Sequence, residues 1–189
     1  MSLCAVQLWA QNDEHEPFFK TNKFESDAFV QFDGSVTKLA ENAAMVTGFG
    51  LNWLINHKVY LGVSYYKLTT RENVSALLEP VAAERVNVDH QSTGLKIGYI
   101  VNPENRFNFS PDIFVGWGNA IYEFPTHRVF RWNFTVLQPC LNGIVNANEV
   151  FRVGFGIGYR KTFGLNLNGL DDSHLSGISG SVFLRIGMF

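Results

Sequence analysis

The 189-residue chain is poor in charge and in cysteine, and these shortages exclude several functional classes. Charged residues make up 17% of it and the formal net charge is -2, so no whole-protein basic field suggests nucleic acid as a partner. The two cysteines, Cys4 and Cys140, lie far apart and match no metal-binding or redox spacing. If Cys4 belongs to a cleaved leader, Cys140 is a lone thiol and no structural disulfide forms.

Long hydrophobic runs are also missing. Polar or glycine residues interrupt every apolar stretch before it reaches the roughly 20 residues that a membrane-spanning helix needs, which excludes a helical anchor. No phosphate-binding loop, zinc-ligand spacing or nucleophile elbow is present, so we expect no cofactor and no metal. The acidic run Asp13–Glu16 is no exception, because consecutive residues on a polar tail rarely converge on one cation.

What the chain has in abundance is phenylalanine and glycine, 17 of each, and 46% of its residues are hydrophobic. Such a composition indicates that something other than water covers part of the surface. The clearest pattern is Val150–Thr162, which alternates without a break and predicts a strand. One face is apolar: Phe151, Val153, Phe155, Ile157 and Tyr159. The other is glycine and arginine: Arg152, Gly154, Gly156, Gly158 and Arg160.

Seven further runs alternate in the same way, so the chain predicts eight strands. Their approximate bounds are Phe29–Leu39, Val46–Ile55, Val59–Tyr66, Ser92–Val101, Phe107–Gly118, Trp132–Val145, Val150–Thr162 and Ile178–Met188. Pro139 marks a bulge or an irregular edge in the sixth. Connections are short after runs two, four and six and long after runs three, five and seven; the first long one could hold a short helix over Val74–Arg85. This alternation of connection lengths predicts an antiparallel up-and-down array of strands. Closure of the array into a barrel would leave no exposed edge strand.

The face opposite the apolar one distinguishes a soluble barrel from a membrane barrel. A water-facing surface would be dense in lysine and glutamate, whereas a membrane barrel carries its apolar band outside and a polar interior. Here that face is mostly glycine, with four charged residues among them: Lys96, Asp112, Arg152 and Arg160. We expect Lys96, Arg152 and Arg160 to cross a narrow lumen and to pair with Asp112 or with Asp33. As a paired network they would plug the lumen, and as an open lining they would form a narrow solute path.

Aromatic residues near the ends of the apolar faces agree with a membrane barrel, because interfacial girdles of such residues flank the bilayer. The candidates are Trp53, Tyr65, Tyr99, Trp117 and Tyr159.

Three segments carry a family resemblance: Phe49–His57, Val153–Arg160 and Leu184–Phe189. With them the chain resembles the small eight-stranded outer-membrane barrels, the class of the OmpA transmembrane domain, OmpX and OmpW, and looks most similar to uncharacterised families of such barrels. The resemblance covers about Ala28–Phe189. It implies the bacterial outer membrane, both termini in the periplasm, long loops outside the cell, and outer-membrane lipid around a barrel that we expect to be a monomer.

The resemblance also implies that Phe189 is presented to the outer-membrane assembly machinery. This class usually keeps its terminal phenylalanine in phase with the outward residues, whereas here Met188 and Ile186 carry that phase. Either a bulge intervenes or the signal is atypical. At the other end, residues 1–10 are interpreted as a signal-peptide remnant, residues 11–27 as a polar segment and residues 28–189 as the barrel.

Only His90-Gln91-Ser92 hints at catalysis, since it resembles the His-x-Ser of outer-membrane lipid A deacylases. Its phase puts both side chains on the lumen side, away from lipid, and no carboxylate partner is identifiable. We therefore expect no enzyme, and a structural, adhesive or surface-interaction role through the long loops. The alternatives are a narrow small-solute channel and a lipid A-modifying esterase.

Overall fold

The computed structural model describes residues 25–39, 42–69, 87–123, 129–164, 166–167 and 170–189. Its strands are β1 (Ser26–Leu39), β2 (Asn42–Ile55), β3 (Val59–Leu68), β4 (Asn87–Tyr99), β5 (Phe107–Glu123), β6 (Val129–Asn146), β7 (Phe151–Phe163), β8 (Asn166–Leu167), β9 (Leu170–Asp171) and β10 (Gly177–Gly187). A short 3-10 helix, Asp172–Leu175, precedes β10. None of these ranges contains a helix long and apolar enough to cross a membrane. The predicted leader, the acidic run and the predicted helix over Val74–Arg85 lie outside the described residues.

Eight strands close into a barrel in which each pairs with its neighbour in sequence and β10 pairs with β1. A row of paired residues that starts at Asp27 passes once around the barrel and returns to β1 at Thr37, ten positions further on. Such a shift accompanies the strand tilt of about 35–45° that barrel closure requires. The predicted all-β, eight-stranded antiparallel up-and-down barrel is therefore confirmed.

The two ends of the barrel differ as the connection lengths predict. The short connections 56–58, 100–106 and 147–150 lie at one end, together with Glu25 and Phe189; this is the short-turn end. The connections 69–86, 124–128 and 164–176 join strand ends at the opposite, loop end. Two of them are long, whereas 124–128 has only five residues, because β5 and β6 extend through most of the long connection predicted after the fifth run.

Strands extend further toward the loop end than the alternation predicts. β4 begins at Asn87 rather than at Ser92, and β5 and β6 remain paired as far as Glu123 and Val129. The predicted runs stopped at Gly118 and Trp132 because the alternation of apolar and polar residues fades beyond them. In these extensions the outward positions are polar, as at Gln91 and Asn119, while inward residues such as His90 stay buried. The apolar face that marks a strand in the sequence is therefore lost although the pairing continues.

The apolar face of the barrel lies outside. On β7, Phe155 is 65% exposed, whereas Arg160 on the other face is 2% exposed. The apolar exterior of β3 lies between Lys58 and Lys67. At about 3.3 Å per residue and a tilt of about 40°, that interval covers about 23 Å of height. This height matches the outward apolar band of about 25 Å that outer-membrane barrels carry.

Pro139 interrupts one ladder without a bulge. β6 pairs with β7 at Leu137–Lys161 and again at Cys140–Gly158, so neither strand gains a residue across the gap. Proline has no N–H to donate, and the ladder resumes in the same register. β6 is also paired on both sides, so the alternatives of a bulge and of an irregular edge are both wrong.

The end of the chain turns inward at the short-turn end. The Met188 amide donates to the Ala28 carbonyl at 3.1 Å, and its side chain is 67% exposed. The Phe189 ring instead packs against Phe29, with centroids 5.2 Å apart. Pairing of β1 with β10 continues as far as Phe29–Gly187, so no bulge within β10 accounts for the phase of Phe189.

Candidate functional site

The glycines of the lumen make room for aromatic rings. A Cβ at Gly48 would overlap the ring of Tyr66, and a Cβ at Gly98 would overlap the ring of Tyr60. Rings cover three more glycines in the same way: Phe114 over Gly116, Phe134 over Gly118 and Phe183 over Gly154. The glycine-rich face is therefore a filled surface and does not line an open pore at these positions.

Arg185 is the centre of a network in the half of the lumen nearer the short turns. It lies on β10 and is fully buried. Its Nε donates to Gln31 Oε1 on β1 at 2.8 Å, and its Nη2 donates to the Tyr60 hydroxyl oxygen on β3 at 3.0 Å. Its guanidinium carbon also lies 4.8 Å from the Tyr60 ring centroid, 4.9 Å from that of Phe183 and 5.1 Å from that of Phe29. Hydrogen bonds and ring faces thus hold this cation in place.

Tyr60 connects Arg185 to Asp112. The Tyr60 hydroxyl donates to Asp112 Oδ2 at 2.8 Å, and the Asn142 amide donates to the same oxygen at 2.8 Å. The Ser110 hydroxyl donates to the Tyr60 oxygen at 3.3 Å. The phenol therefore accepts from the guanidinium and donates to the carboxylate, which spreads the charge of both groups across the lumen.

Lys96 and Asp33 extend this network toward the loop end. Lys96 Nζ lies 4.0 Å from Asp33 Oδ2, and each side chain is 6% exposed. Asp33 Oδ1 accepts from Gln31 Nε2 at 2.7 Å, and Gln31 in turn binds Arg185. The lysine ammonium also lies 5.4 Å from the Tyr66 ring centroid. Strands β1, β3, β4, β5, β6 and β10 are thereby linked through one polar network.

An apolar cluster closes the lumen at the short-turn end. Phe29, Leu54, Tyr60 and Ile100 are buried there, and Phe189 packs against them. The guanidinium carbon of Arg152 lies 3.9 Å from the Phe189 ring centroid. The end of the chain thus covers the end of the barrel.

Arg160 holds a second, smaller group on the β6 and β10 wall. Its Nε donates to Gln138 Oε1 at 3.0 Å, and Gln138 Nε2 donates to Ser179 Oγ at 3.2 Å. Cys140, a free and half-buried thiol, lies 3.6 Å from the same amide nitrogen. Among the residues that the structure describes, neither Arg160 nor Arg152 lies within salt-bridge distance of a carboxylate.

Toward the loop end the lumen carries polar groups without partners, a region we call the lumen mouth. It comprises His90, Ser92 and Thr37, each at most 2% exposed. The His90 ring stacks on Phe134, with centroids 4.7 Å apart and 17° between the planes. Within the described part of the chain, both His90 ring nitrogens and the hydroxyls of Ser92 and Thr37 have no hydrogen-bond partner. His90 and Ser92 therefore form no base–nucleophile pair in this arrangement.

The phase of the alternation places Lys96, Asp112, Arg152 and Arg160 in the lumen, where the structure has them, but their contacts differ from the expected pairing. Only Lys96 approaches one of the two predicted carboxylates, Asp33. The network residues that sequence reasoning missed are Arg185, Tyr60, Gln31 and Asn142. In the alternation of the sequence, Arg185 has the same inward phase as Lys96, Asp112, Arg152 and Arg160. This phase is the one sequence signal that could have identified it.

The five aromatics predicted for the membrane interfaces all face outward. Trp53 and Tyr99 lie toward the short-turn end, and the Trp53 indole donates to Ser26 Oγ at 2.6 Å. Tyr65 and Trp117 share a row near the loop end, flanking Thr93. Tyr159 lies two residues before Lys161 on β7. Their interfacial role stays a prediction. In the described ranges, no group of three or more His, Cys, Asp or Glu side chains could hold a metal ion.

Comparisons with known proteins bear on the fold. No family model and no curated protein matches the sequence. Among solved structures, the barrel is similar to Neisserial surface protein A, with a TM-score of 0.59 at 10% identity, over 85% of this chain and 96% of that one. It is also similar to Ail, the attachment invasion locus protein of Yersinia pestis, in complex with the heparin analogue sucrose octasulfate, with a TM-score of 0.51 at 14% identity, over 87% and 97% of the two chains.

The chain therefore has the fold of a small outer-membrane β-barrel. Its outward apolar belt and its polar, filled interior have the orientation that such a barrel needs in lipid. The fold and the belt together locate the protein in the bacterial outer membrane.

Proposed function

We propose that this protein is a surface barrel that acts through its loops, in a structural or adhesive role, and that its lumen is a plug. The observation that carries the proposal is the continuous network from Arg185 through Tyr60 to Asp112, which crosses the lumen above the apolar cluster at the short-turn end. Because that interior is filled, other molecules can contact the protein at the outward apolar belt and at the connections of the loop end.

The alternative of a narrow solute channel is tested by conductance in planar lipid bilayers. We expect no steady conductance from the wild-type barrel, because rings and paired side chains occupy the lumen. Tyr60→Ala removes both a ring and the link between Arg185 and Asp112, so this variant is expected to conduct. A steady wild-type conductance would overturn the plug and favour the channel.

The alternative of a lipid A-modifying esterase has little support in the geometry. His90 and Ser92 face the lumen, stacked or buried among other side chains and away from the acyl chains of the bilayer. Expression of the protein is expected to leave the mass of lipid A unchanged. A change in mass that His90→Ala abolishes would show that the barrel is an enzyme after all.

The composition of the first long connection bears on the kind of ligand. Residues 70–86 carry Arg71 and Arg85 against Glu72, Glu79 and Glu84. The Ail structure was determined with a sulfated heparin analogue, and a sulfated polyanion calls for a dense basic patch. The connection in this chain carries no excess of positive charge. We therefore expect a partner recognised through apolar and hydrogen-bonding contacts rather than a sulfated glycan.

The loop proposal is tested on cells that display the barrel. Residues 71–85 are replaced by a glycine-serine linker of equal length, and adhesion to a cultured epithelial monolayer and to heparin-coated beads is measured. We expect epithelial adhesion to fall to the level of cells without the barrel, with little binding to heparin in either case. Replacement of residues 124–128 serves as the matched control for loop disruption, and a heat-modifiable band on a gel shows that each variant folds. If adhesion is absent from the wild type, or survives both replacements, the surface-interaction proposal fails.

A further inference from the structure

The lumen mouth and Arg160 lie at the same level of the barrel. Thr37 pairs with Ser179, which pairs with Gly158, and Arg160 stands two positions beyond Gly158 toward the loop end. A row of paired residues changes height by ten positions over eight strands, so it drops between two and three positions from β1 to β7. Arg160 is therefore at the height of Thr37. The same count, continued from β7 to β4, brings Ser92 to this height as well.

These three side chains point into the lumen from three sides. β1, β4 and β7 divide the wall of eight strands into nearly equal arcs, and Thr37, Ser92 and Arg160 are each 2% exposed. His90 follows two positions from Ser92 toward the loop end and is 1% exposed. The Arg160 guanidinium is near enough to His90 for its charge to act on the imidazole. The four side chains therefore surround one small part of the lumen.

The groups that meet there offer hydrogen-bond donors and a positive charge. Arg160 Nη1, the hydroxyls of Ser92 and Thr37 and both ring nitrogens of His90 have no hydrogen-bond partner among the described residues. A guanidinium can only donate, and each hydroxyl and a neutral imidazole has one proton to donate. No described carboxylate lies within salt-bridge distance of Arg160, and Asp33, nearer the short-turn end, already faces a lysine ammonium. A buried cation among free donors suits an anion.

We propose that the loop-end half of the lumen binds one small inorganic oxyanion with the size and charge of phosphate. Arg160 Nη1 donates to it from β7, and the hydroxyls of Thr37 and Ser92 donate from β1 and β4. His90 donates from the side of the loop end. The anion enters from that end, because the apolar cluster closes the other. The site does not rest on the proposed function, since it needs neither a ligand of the loops nor an open lumen.

The test uses the full chain folded in detergent micelles and isothermal titration calorimetry with inorganic phosphate. We expect the wild type to bind one phosphate per chain. Arg160→Gln should weaken binding at least about tenfold, because it removes the charged donor, and Arg160→Lys should recover part of the loss. Ser92→Ala combined with Thr37→Val keeps the charge and removes two neutral donors, so it should weaken binding at least about fivefold.

Arg152→Gln is the matched control, because it removes the same charge from the same strand but at the short-turn end, where the guanidinium lies against Phe189. Heat modifiability confirms that each variant folds. Phenyl phosphate carries the anion on a ring that a filled lumen cannot admit, and it should bind at least tenfold more weakly than phosphate.

Three results would overturn the proposal. The first is a wild type that does not bind phosphate. The second is a loss in Arg152→Gln equal to that in Arg160→Gln, and the third is equal binding of phenyl phosphate, since both would place the anion outside the lumen mouth. If adhesion proves absent while phosphate binding depends on Arg160, the surface-interaction proposal fails and the anion site stands.

Discussion

The two halves of the lumen are built from similar residues but treat their polar groups differently. Near the short-turn end, Arg185 bonds two partners and lies against three rings. Near the loop end, His90 and Ser92 are as deeply buried but bond no described residue. The first half has exceptions, because several of its buried polar atoms also lack a hydrogen-bond partner among the described residues: the Asn52 amide, the Ser64 hydroxyl, Asn108 Oδ1, Arg152 Nε and Nη1, and Arg185 Nη1.

This difference assigns different physical roles to the two halves. A buried polar group is tolerated when it is hydrogen-bonded, by protein or by water. The network around Arg185 is satisfied largely by protein and can hold the strands in register. The lumen mouth needs water to satisfy His90 and Ser92, so we expect it to be hydrated from the loop end. Four substitutions test this comparison, in order of expected effect.

Arg185→Ala should give the largest loss. It deprives Gln31 and Tyr60 of their donor and leaves space among three rings, and breaking a buried charge network of this kind costs about 3–5 kcal/mol. The free energy of unfolding in urea, measured in detergent micelles by tryptophan fluorescence, should fall by that amount. Arg185→Lys keeps the charge but not the fork of donors, so it should recover part of the loss. A loss below about 1 kcal/mol for Arg185→Ala would mean that the network does not hold the barrel.

Lys96→Met should cost about 3 kcal/mol in the same unfolding measurement, because it leaves the Asp33 carboxylate buried without its cation. Lys96→Met combined with Asp33→Asn should recover most of this, since the amide oxygen still accepts from Gln31 and no charge remains. If the double variant is no more stable than Lys96→Met, the 4.0 Å approach of the two groups is not an energetic pair.

Gly98→Ala should cost about 1–3 kcal/mol, because the added methyl group overlaps the Tyr60 ring and forces it to move. Gly180→Ala is the matched control, since a Cβ there meets nothing within 4 Å. The control should change the stability by less than about 0.5 kcal/mol. Equal effects at the two positions would show that the ring over Gly98 has room to shift.

His90→Phe should have the smallest effect, less than about 1 kcal/mol, because no hydrogen bond to a described residue is lost and the stack on Phe134 is kept. A loss above about 2 kcal/mol would reveal a partner for the imidazole and would make the lumen mouth resemble the other half.

The sequence predicts much of the fold and little of the network, for a physical reason. Alternation with a period of two decides which side of the wall a residue occupies, so it puts Lys96, Asp112 and Arg160 inside without knowledge of neighbouring strands. Which side chains meet across the lumen depends on the shift between strands, and that shift is a property of the closed barrel. Arg185 shows this, because its partner Gln31 lies at the far end of the chain.

Asn119 and Asn133 illustrate the limit at the loop end. From the sequence alone, polar residues beyond the apolar belt are predicted to belong to a loop connection. In the structure, β5 and β6 continue through them as paired strands. That these two amides lie side by side becomes visible only when the register aligns the two residues across strands.

The bond between Arg185 and Gln31 joins residues 154 positions apart and spans the seam between the first and last strands. Contacts this distant in sequence form only after the chain between them has been ordered, and they make folding slow. A partly inserted barrel, with β1 and β3 formed and β10 still absent, would hold Gln31 and Tyr60 without the guanidinium that donates to them. Closure of the last strand is therefore the step at which the polar network of the interior gains its central donor, and this ties the completion of the barrel wall to the completion of its core.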